Sequence, residues 1–173
     1  NQALVQFRCL AERDQIDLLA EGIDCMIRIG ELQDSSLISR RLGEVKMVTC
    51  ASPDYLQKQG VPQVPEDLSR HQALNFFSER HREALEWTFV NRGKTESFTP
   101  AGRISVDNSD ILLTGCLSGL GIIRGVHAVL APYLQSGQLV EVLADFTLLT
   151  CRYIAKIIHQ QRYFTFFAEI FNA

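Results

Sequence analysis

The groups in this sequence with the best claim to chemistry are two polar helix starts and an arginine at a strand end, and they suit holding a small anion better than breaking a bond. Ser52-Pro53-Asp54 presents Ser at an N-cap, Pro at the first helical position and an acid in the first turn. The free backbone N–H groups of such a start, together with the Ser52 hydroxyl, can receive a carboxylate. The competing reading is that Ser52 only caps its own helix. Asp107-Asn108-Ser109-Asp110 opens a second helix in the same way, so Asn108 or Ser109 either orients a ligand or satisfies the helix's own amides. Arg28 ends an apolar run just before Gly30. A cation there pairs either with an anionic ligand or with Asp24, Glu31 or Asp34 of its own segment. Phe76, Phe77 and Trp87 either line the apolar part of a pocket or belong to the core.

Nothing assembles these groups into a catalyst. There is no GxSxG, HExxH or phosphate-binding loop, and Gly119-Leu120-Gly121 lacks the rest of a dinucleotide fingerprint. His71, His81, His127 and His159 fall in unrelated contexts, and no histidine near Cys50 in sequence is placed to activate it. The five cysteines (Cys9, Cys25, Cys50, Cys116, Cys151) are odd in number, far apart and free of metal-ligand spacing. They read as small buried thiols in a reducing cytoplasm. The expectation is therefore a chain that is not an enzyme and that carries no metal and no cofactor.

Charge narrows the partners. With 17 Lys and Arg against 20 Asp and Glu, the net charge is -3, whereas affinity for a phosphate backbone comes from clustered cations. Arg40-Arg41 and Arg80 with Arg82 are too sparse to form a basic groove. A protein that acts on DNA would have to touch it through another part. No run of residues approaches the length of apolar sequence needed to span a bilayer, and 46% hydrophobic residues in 173 are ample for a core.

The elements that must position these groups alternate between β and α. Residues 4–10 alternate as a strand, a short helix follows and stops at Gly22, and the apolar run 23–29 reads as a buried parallel strand completing a β-α-β unit. Residues 37–51 form a long extended stretch, followed by the helix that Ser52 opens and Gly60 ends, and by a further short helix from Pro65. Strands are expected at 73–77, 86–90, 96–99 and 103–106, the middle pair forming a hairpin around Asn91-Arg92-Gly93. The second capped helix then runs to Gly119, before a strand at 122–123, a helix at 126–134, strands at 139–143 and 148–158, and a terminal helix with an apolar face at 163–171. Two extended segments, at 46–51 and 139–143, bracket the middle block. A lobe inserted into another lobe has that signature, and ligands of such proteins sit in the cleft between them.

Six segments in order resemble the co-inducer domains of LysR-type regulators. Residues 21–30 (EGIDCMIRIG) are similar to the family's eGiDvaiRiG, 35–43 (SSLISRRLG) to its sSliarrLg, and 51–56 (ASPDYL) to its ASPaYL. Pro62 to Leu68 resembles P..P.dL, Gly119 to Ile123 resembles GlGi, and Gly137 to Leu143 resembles G.Lv.vL. The resemblance runs over nearly the whole chain. It implies an α/β fold of two Rossmann-like lobes of the periplasmic-binding-protein type, joined by two crossing strands. On that reading 1–47 with 144–173 form the first lobe and 48–143 the inserted second.

The same resemblance implies the effector-binding domain of a bacterial transcription regulator, cytoplasmic, assembling as a homodimer or homotetramer and binding a small anionic or aromatic metabolite between its lobes. The residues carried to that cleft are Arg28, Ser52, Pro53, Phe76, Asn108, Ser109 and Arg124. Arg124 departs from the family, which usually has an uncharged residue after its GlGi strand, and is a candidate for effector selectivity. DNA contact would come only through an N-terminal helix-turn-helix head. Neither that head nor the opening strand and helix of the first lobe has a counterpart ahead of residues 4–10. The alternatives are a solute-binding protein of the same fold serving a transporter, and an oligomerisation module with a vestigial pocket.

Overall fold

The computed structural model describes residues 25–29, 38–77, 84–147 and 151–157, with side chains over 45–77 and 84–147. The expected strand at 4–10, the helix after it and the terminal helix at 163–171 lie outside the described residues.

The long extended stretch becomes two consecutive strands, β2 (Ile38–Val45) and β3 (Met47–Ala51), separated only by Lys46. They belong to different sheets. β2 lies at one edge of a three-stranded sheet of order β1-β10-β2, with β1 at Cys25–Ile29 and β10 at Cys151–Ile157. Both pairings are antiparallel, and Leu42 bulges out of register between the Arg41–Ile154 and Gly43–Tyr153 pairs. The strand expected at 23–29 is thus present, but its described partner runs antiparallel to it. That partner comes from more than a hundred residues along the chain, where local periodicity carries no information about pairing.

β3 is the middle strand of the second sheet, between β8 (Ile123–Val126) and β9 (Val140–Val142), again antiparallel to both. The two segments expected to cross between lobes are therefore hydrogen-bonded neighbours, Thr49 opposite Val142 and Ala51 opposite Val140. Two short pairs complete the strands. β4 (Leu74–Phe76) runs parallel to β7 (Ile104–Val106), and β5 (Trp87–Asn91) forms a hairpin with β6 (Lys94–Phe98). The hairpin turns through Arg92 at φ 50° and Gly93 at φ 80°. Positive φ at both central residues matches the right-handed twist of the flanking strands.

Helix boundaries follow the capping signals. α1 spans Pro53–Gln59, capped by Ser52 and closed by Gly60 at φ 86°. The segment from Pro65 to Arg70 winds as a 3-10 turn rather than an α-helix. α2 spans Ser109–Leu117 behind Asn108, and α3 spans His127–Gln135. No helix among the described residues is long and apolar enough to cross a membrane.

Two apolar clusters lie on opposite faces of β3. Ala51 joins Tyr55, Leu68, Trp87, Phe89, Ile122 and Val142, while Val48 and Cys50 join Leu74, Leu112, Cys116, Ile123, Leu130 and Leu139. The consecutive pairs Ala73/Leu74 and Ile122/Ile123 send one side chain to each cluster, as the two-residue period of a strand demands.

Where β4 meets the start of β8 the backbones touch. Ile122 N–H donates to Gln72 O at 2.9 Å and Leu74 N–H to Ile122 O at 2.8 Å, so a Cβ on Gly121 would lie 2.4 Å from Gln72 O. The second glycine of the GlGi segment is thus a close-approach residue. Gly121→Ala should cost about 1–3 kcal/mol of stability by forcing the strands apart. Gly115→Ala, facing only side-chain ends, Leu74 Cδ1 at 3.1 Å and Leu120 Cδ1 at 3.7 Å, should cost less than half as much in the same urea titration. Equal losses would contradict the assignment.

Cys50 and Cys116 are both fully buried and free, and the Cys116 thiol reaches Cys50 O at 3.6 Å. The neighbouring Cys116 thiol and burial together push the Cys50 thiol far above the ordinary thiol value, and the thiolate is the reactive form. Peptide mapping after alkylation should find both thiols unmodified in the folded chain and modified in urea. Labelling of either in the folded chain at the rate of a free thiol would contradict this packing.

Candidate effector site

Strand direction sorts the candidate residues into two ends. The chain enters β3 from β2 at Lys46 and leaves β9 after Val142, and these two points lie at the same end of the second sheet because β3 and β9 are antiparallel. β8 is also antiparallel to β3, the bridge between Ala73 and Ile122 is parallel, and β4 is parallel to β7. The carboxyl ends of β4, β7 and β8 therefore all turn toward the crossing. In the other sheet β1 and β2 each run antiparallel to β10, hence parallel to one another. The carboxyl end of β1 turns toward the crossing as well.

Phe76 ends β4, Asn108 and Ser109 follow β7, and Arg28 is the penultimate residue of β1. The side chain of Arg28 lies outside the described residues; its backbone is opposite Ile154. Phe76 is half-buried and packs against the second cluster. Asn108 Oδ1 accepts from Asp110 N–H at 2.9 Å and from Ile111 N–H at 3.1 Å, so the acceptor end of its amide is spent on the cap. Ser109 is exposed at the first position of α2.

Ser52 and Pro53 lie at the opposite end. They follow the last residue of β3, roughly 16 Å from Lys46 at a strand's rise per residue. Ser52 is 3% exposed, its hydroxyl accepts from Tyr55 N–H at 3.4 Å, and a Cβ on Gly119 would sit 3.6 Å from that hydroxyl. Gly119, at φ 76°, ends α2. Ser52 and Asn108 therefore sit at the two ends of one helix, about 16 Å apart. Ser52 caps its own helix, and the direction of β3 sets it and Pro53 at the end away from the crossing.

Arg124 stands between the two ends. It lies opposite Thr49 in the β3–β8 ladder and donates from Nη1 to Thr49 Oγ1 at 3.3 Å. Its guanidinium also sits over the Phe89 ring, 4.7 Å from the centroid. Stacking of this kind holds a planar cation in one orientation and contributes about 0.5–2 kcal/mol, more as the site dries. Phe89 in turn bridges to Thr147, in the segment that leads from β9 back to β10. The half-buried arginine is thereby tied to both β3 and the return crossing.

Thr49 and Phe89 were not among the residues singled out from sequence. Their signals are faint but present: a fully buried threonine between Val48 and Cys50, and a phenylalanine two residues from Trp87, on the same face of β5. Trp87 itself is buried in the first cluster and Phe77 is half-buried. Among the described residues no group of His, Cys, Asp and Glu is arranged to hold a metal.

Compared with known proteins, residues 2–171 match the LysR substrate binding domain family. An HTH-type transcriptional repressor of Pseudomonas aeruginosa (strain UCBPP-PA14) is 36% identical over 143 residues, 82% of this chain and 45% of that protein. The HTH-type transcriptional activator AaeR of Escherichia coli (strain K12) is 42% identical over 132 residues, 69% of this chain and 42% of its own length. The chain thus spans less than half the length of these two curated relatives. Among solved structures, the regulatory domain of CrgA, a LysR-type transcriptional regulator from Neisseria meningitidis, is similar with a TM-score of 0.77 at 28% identity, over 93% of this chain and 80% of that one. The full-length Vibrio cholerae virulence activator AphB gives 0.72 at 30% identity, over 89% of this chain and 51% of that one. The mixed α/β fold is accordingly of the periplasmic-binding-protein type, and the chain belongs to the LysR substrate binding domain family, the effector-binding part of LysR-type transcriptional regulators.

Proposed function

We propose that this domain senses a small anionic or aromatic metabolite in a cleft between a first lobe (1–47 with 144–173) and a second lobe (48–143). The observation that carries this reading is that the carboxyl ends of β1, β4, β7 and β8 all turn toward the crossing at Lys46. Open α/β sheets bind ligands outside the carboxyl ends of their strands. Arg28, Phe76, Asn108 and Ser109 lie at that end, and Arg124 is the cation that selects the effector. Ser52 and Pro53 serve the fold instead.

The domain does no covalent chemistry. It works in the cytoplasm, where its parent regulator meets promoter DNA through a helix-turn-helix head, as a homodimer or homotetramer. A metabolite with different affinity for two arrangements of the lobes shifts the population between them, and so the assembly on DNA. The two curated relatives named above are one repressor and one activator, and the sensing step is the same in either case.

The test is calorimetric titration of aliphatic and aromatic carboxylates into the full chain. A binder is expected. Arg124→Met should weaken it by about tenfold, the loss of one charge-assisted contact worth about 1.4 kcal/mol. Ser52→Ala should leave affinity within about twofold while lowering stability by about 1 kcal/mol. Absence of any binder to a folded chain would contradict sensing. Loss of binding in Ser52→Ala with none in Arg124→Met would contradict the placement of the site.

A further inference from the structure

The end of the second lobe remote from the crossing carries a buried polar chain that effector sensing does not use. Tyr55 on α1 and His71, after the 3-10 turn, are 4% and 7% exposed. Gln72 N–H donates to Tyr55 Oη at 2.8 Å, and Tyr55 Oη meets His71 Nδ1 at 3.2 Å. The two rings lie 5.9 Å apart at 47°. The phenol oxygen keeps a second lone pair as well as its proton, so the imidazole tautomer sets the direction of this bond; with the ring proton on Nε2, Nδ1 accepts from the phenol, and this is the form the latch uses.

We propose that the Tyr55–His71 pair is an acid-sensitive latch that seats α1 on the core, so that protonation of His71 loosens the far end of the second lobe. A proton on Nδ1 turns the acceptor into a donor facing a hydroxyl that already donates toward it. Either the phenol proton finds another acceptor or the pair separates. Separation frees α1 at Tyr55, one of its two buried side chains. It also frees the N-cap Ser52, which adjoins the glycine ending α2.

Among the described residues, the charged and titratable groups acting on His71 are few. Tyr55 faces it from α1, and burial pushes its phenol up, so it stays protonated throughout. From the 3-10 turn come Asp67, which raises the imidazole, and Arg70, which lowers it. Asp67 is held below the usual carboxylate range by the Gln63 amide and by Arg70 and does not titrate with the latch. Burial is the largest influence on His71 and pushes it below the ordinary histidine value. The folded chain therefore takes up this proton less readily than the unfolded chain. The stabilisation it contributes is complete above about pH 6.5 and is lost as the pH falls from there through the lowered value that His71 has in the folded chain.

Amide hydrogen exchange on the full chain, corrected for intrinsic chemical rates, reads the latch without any effector. Between pH 7.5 and 5.5 the protection of α1 should fall by about tenfold in the wild type. It should stay unchanged in His71→Gln, whose amide oxygen accepts the phenol proton at either pH. In Tyr55→Phe it should already be low at pH 7.5. Should the variants not fold, the wild type still decides: the His71 ring resonances must titrate with the midpoint at which α1 loses protection. Constant protection in the wild type, an equal loss in His71→Gln, or midpoints more than about one pH unit apart would overturn the proposal.

Discussion

The constraint on which the fold depends is that β3 is covered on both faces and hydrogen-bonded along both edges. Val48, Thr49, Cys50 and Ala51 are fully buried, with β8 on one side and β9 on the other. Displacing this strand would open both apolar clusters at once, since each draws residues from it. It is also continuous with β2 through Lys46 and lies beside the return path through β9, so its two roles cannot be separated. The strand that organises the second lobe's core is the strand by which the chain enters it.

This arrangement gives the second lobe a polarity. Because β3 runs away from the crossing while β4, β7 and β8 run toward it, the polar helix starts fall at opposite ends. At the remote end, Ser52, Tyr55, His71 and Gln72 bond mainly to one another and to the α1 start, leaving little capacity for a ligand. Near the crossing, Ser109 is exposed and Phe76 half-buried, and Lys46 pairs with Glu141 at 3.4 Å across the two crossing segments. The lysine end of this pair is open to solvent, and such a pair contributes about 1 kcal/mol or less. Arg124, held over Phe89 and bonded to Thr49, is fixed enough to present one orientation and open enough to meet solvent.

Local signals in the sequence transferred well. The Ser52-Pro53 and Asn108-Ser109 caps and the hairpin at Arg92-Gly93 all depend on a few adjacent residues whose backbone preferences are strong. Pairing between distant segments was not legible. The union of β1 with β10 joins segments from opposite ends of the chain, and an apolar run such as 23–29 reads alike whether its neighbour is parallel or antiparallel. The role of Ser52 was ambiguous for a different reason: a serine that caps its helix and a serine that receives an anion have the same sequence signature. The stack of Arg124 over Phe89 links residues 35 positions apart in sequence, with no periodicity to announce it.

The central claim is that the effector is held at the crossing end of the second lobe. Its most direct test is to map amide chemical-shift changes as a carboxylate that binds in the calorimeter is titrated in. The account predicts changes concentrated at residues 46–47, 76, 106–109 and 124–126, with little change at 52–56 and 71–72. Changes concentrated at 52–56 and 71–72, with 106–109 and 124–126 undisturbed, would contradict it.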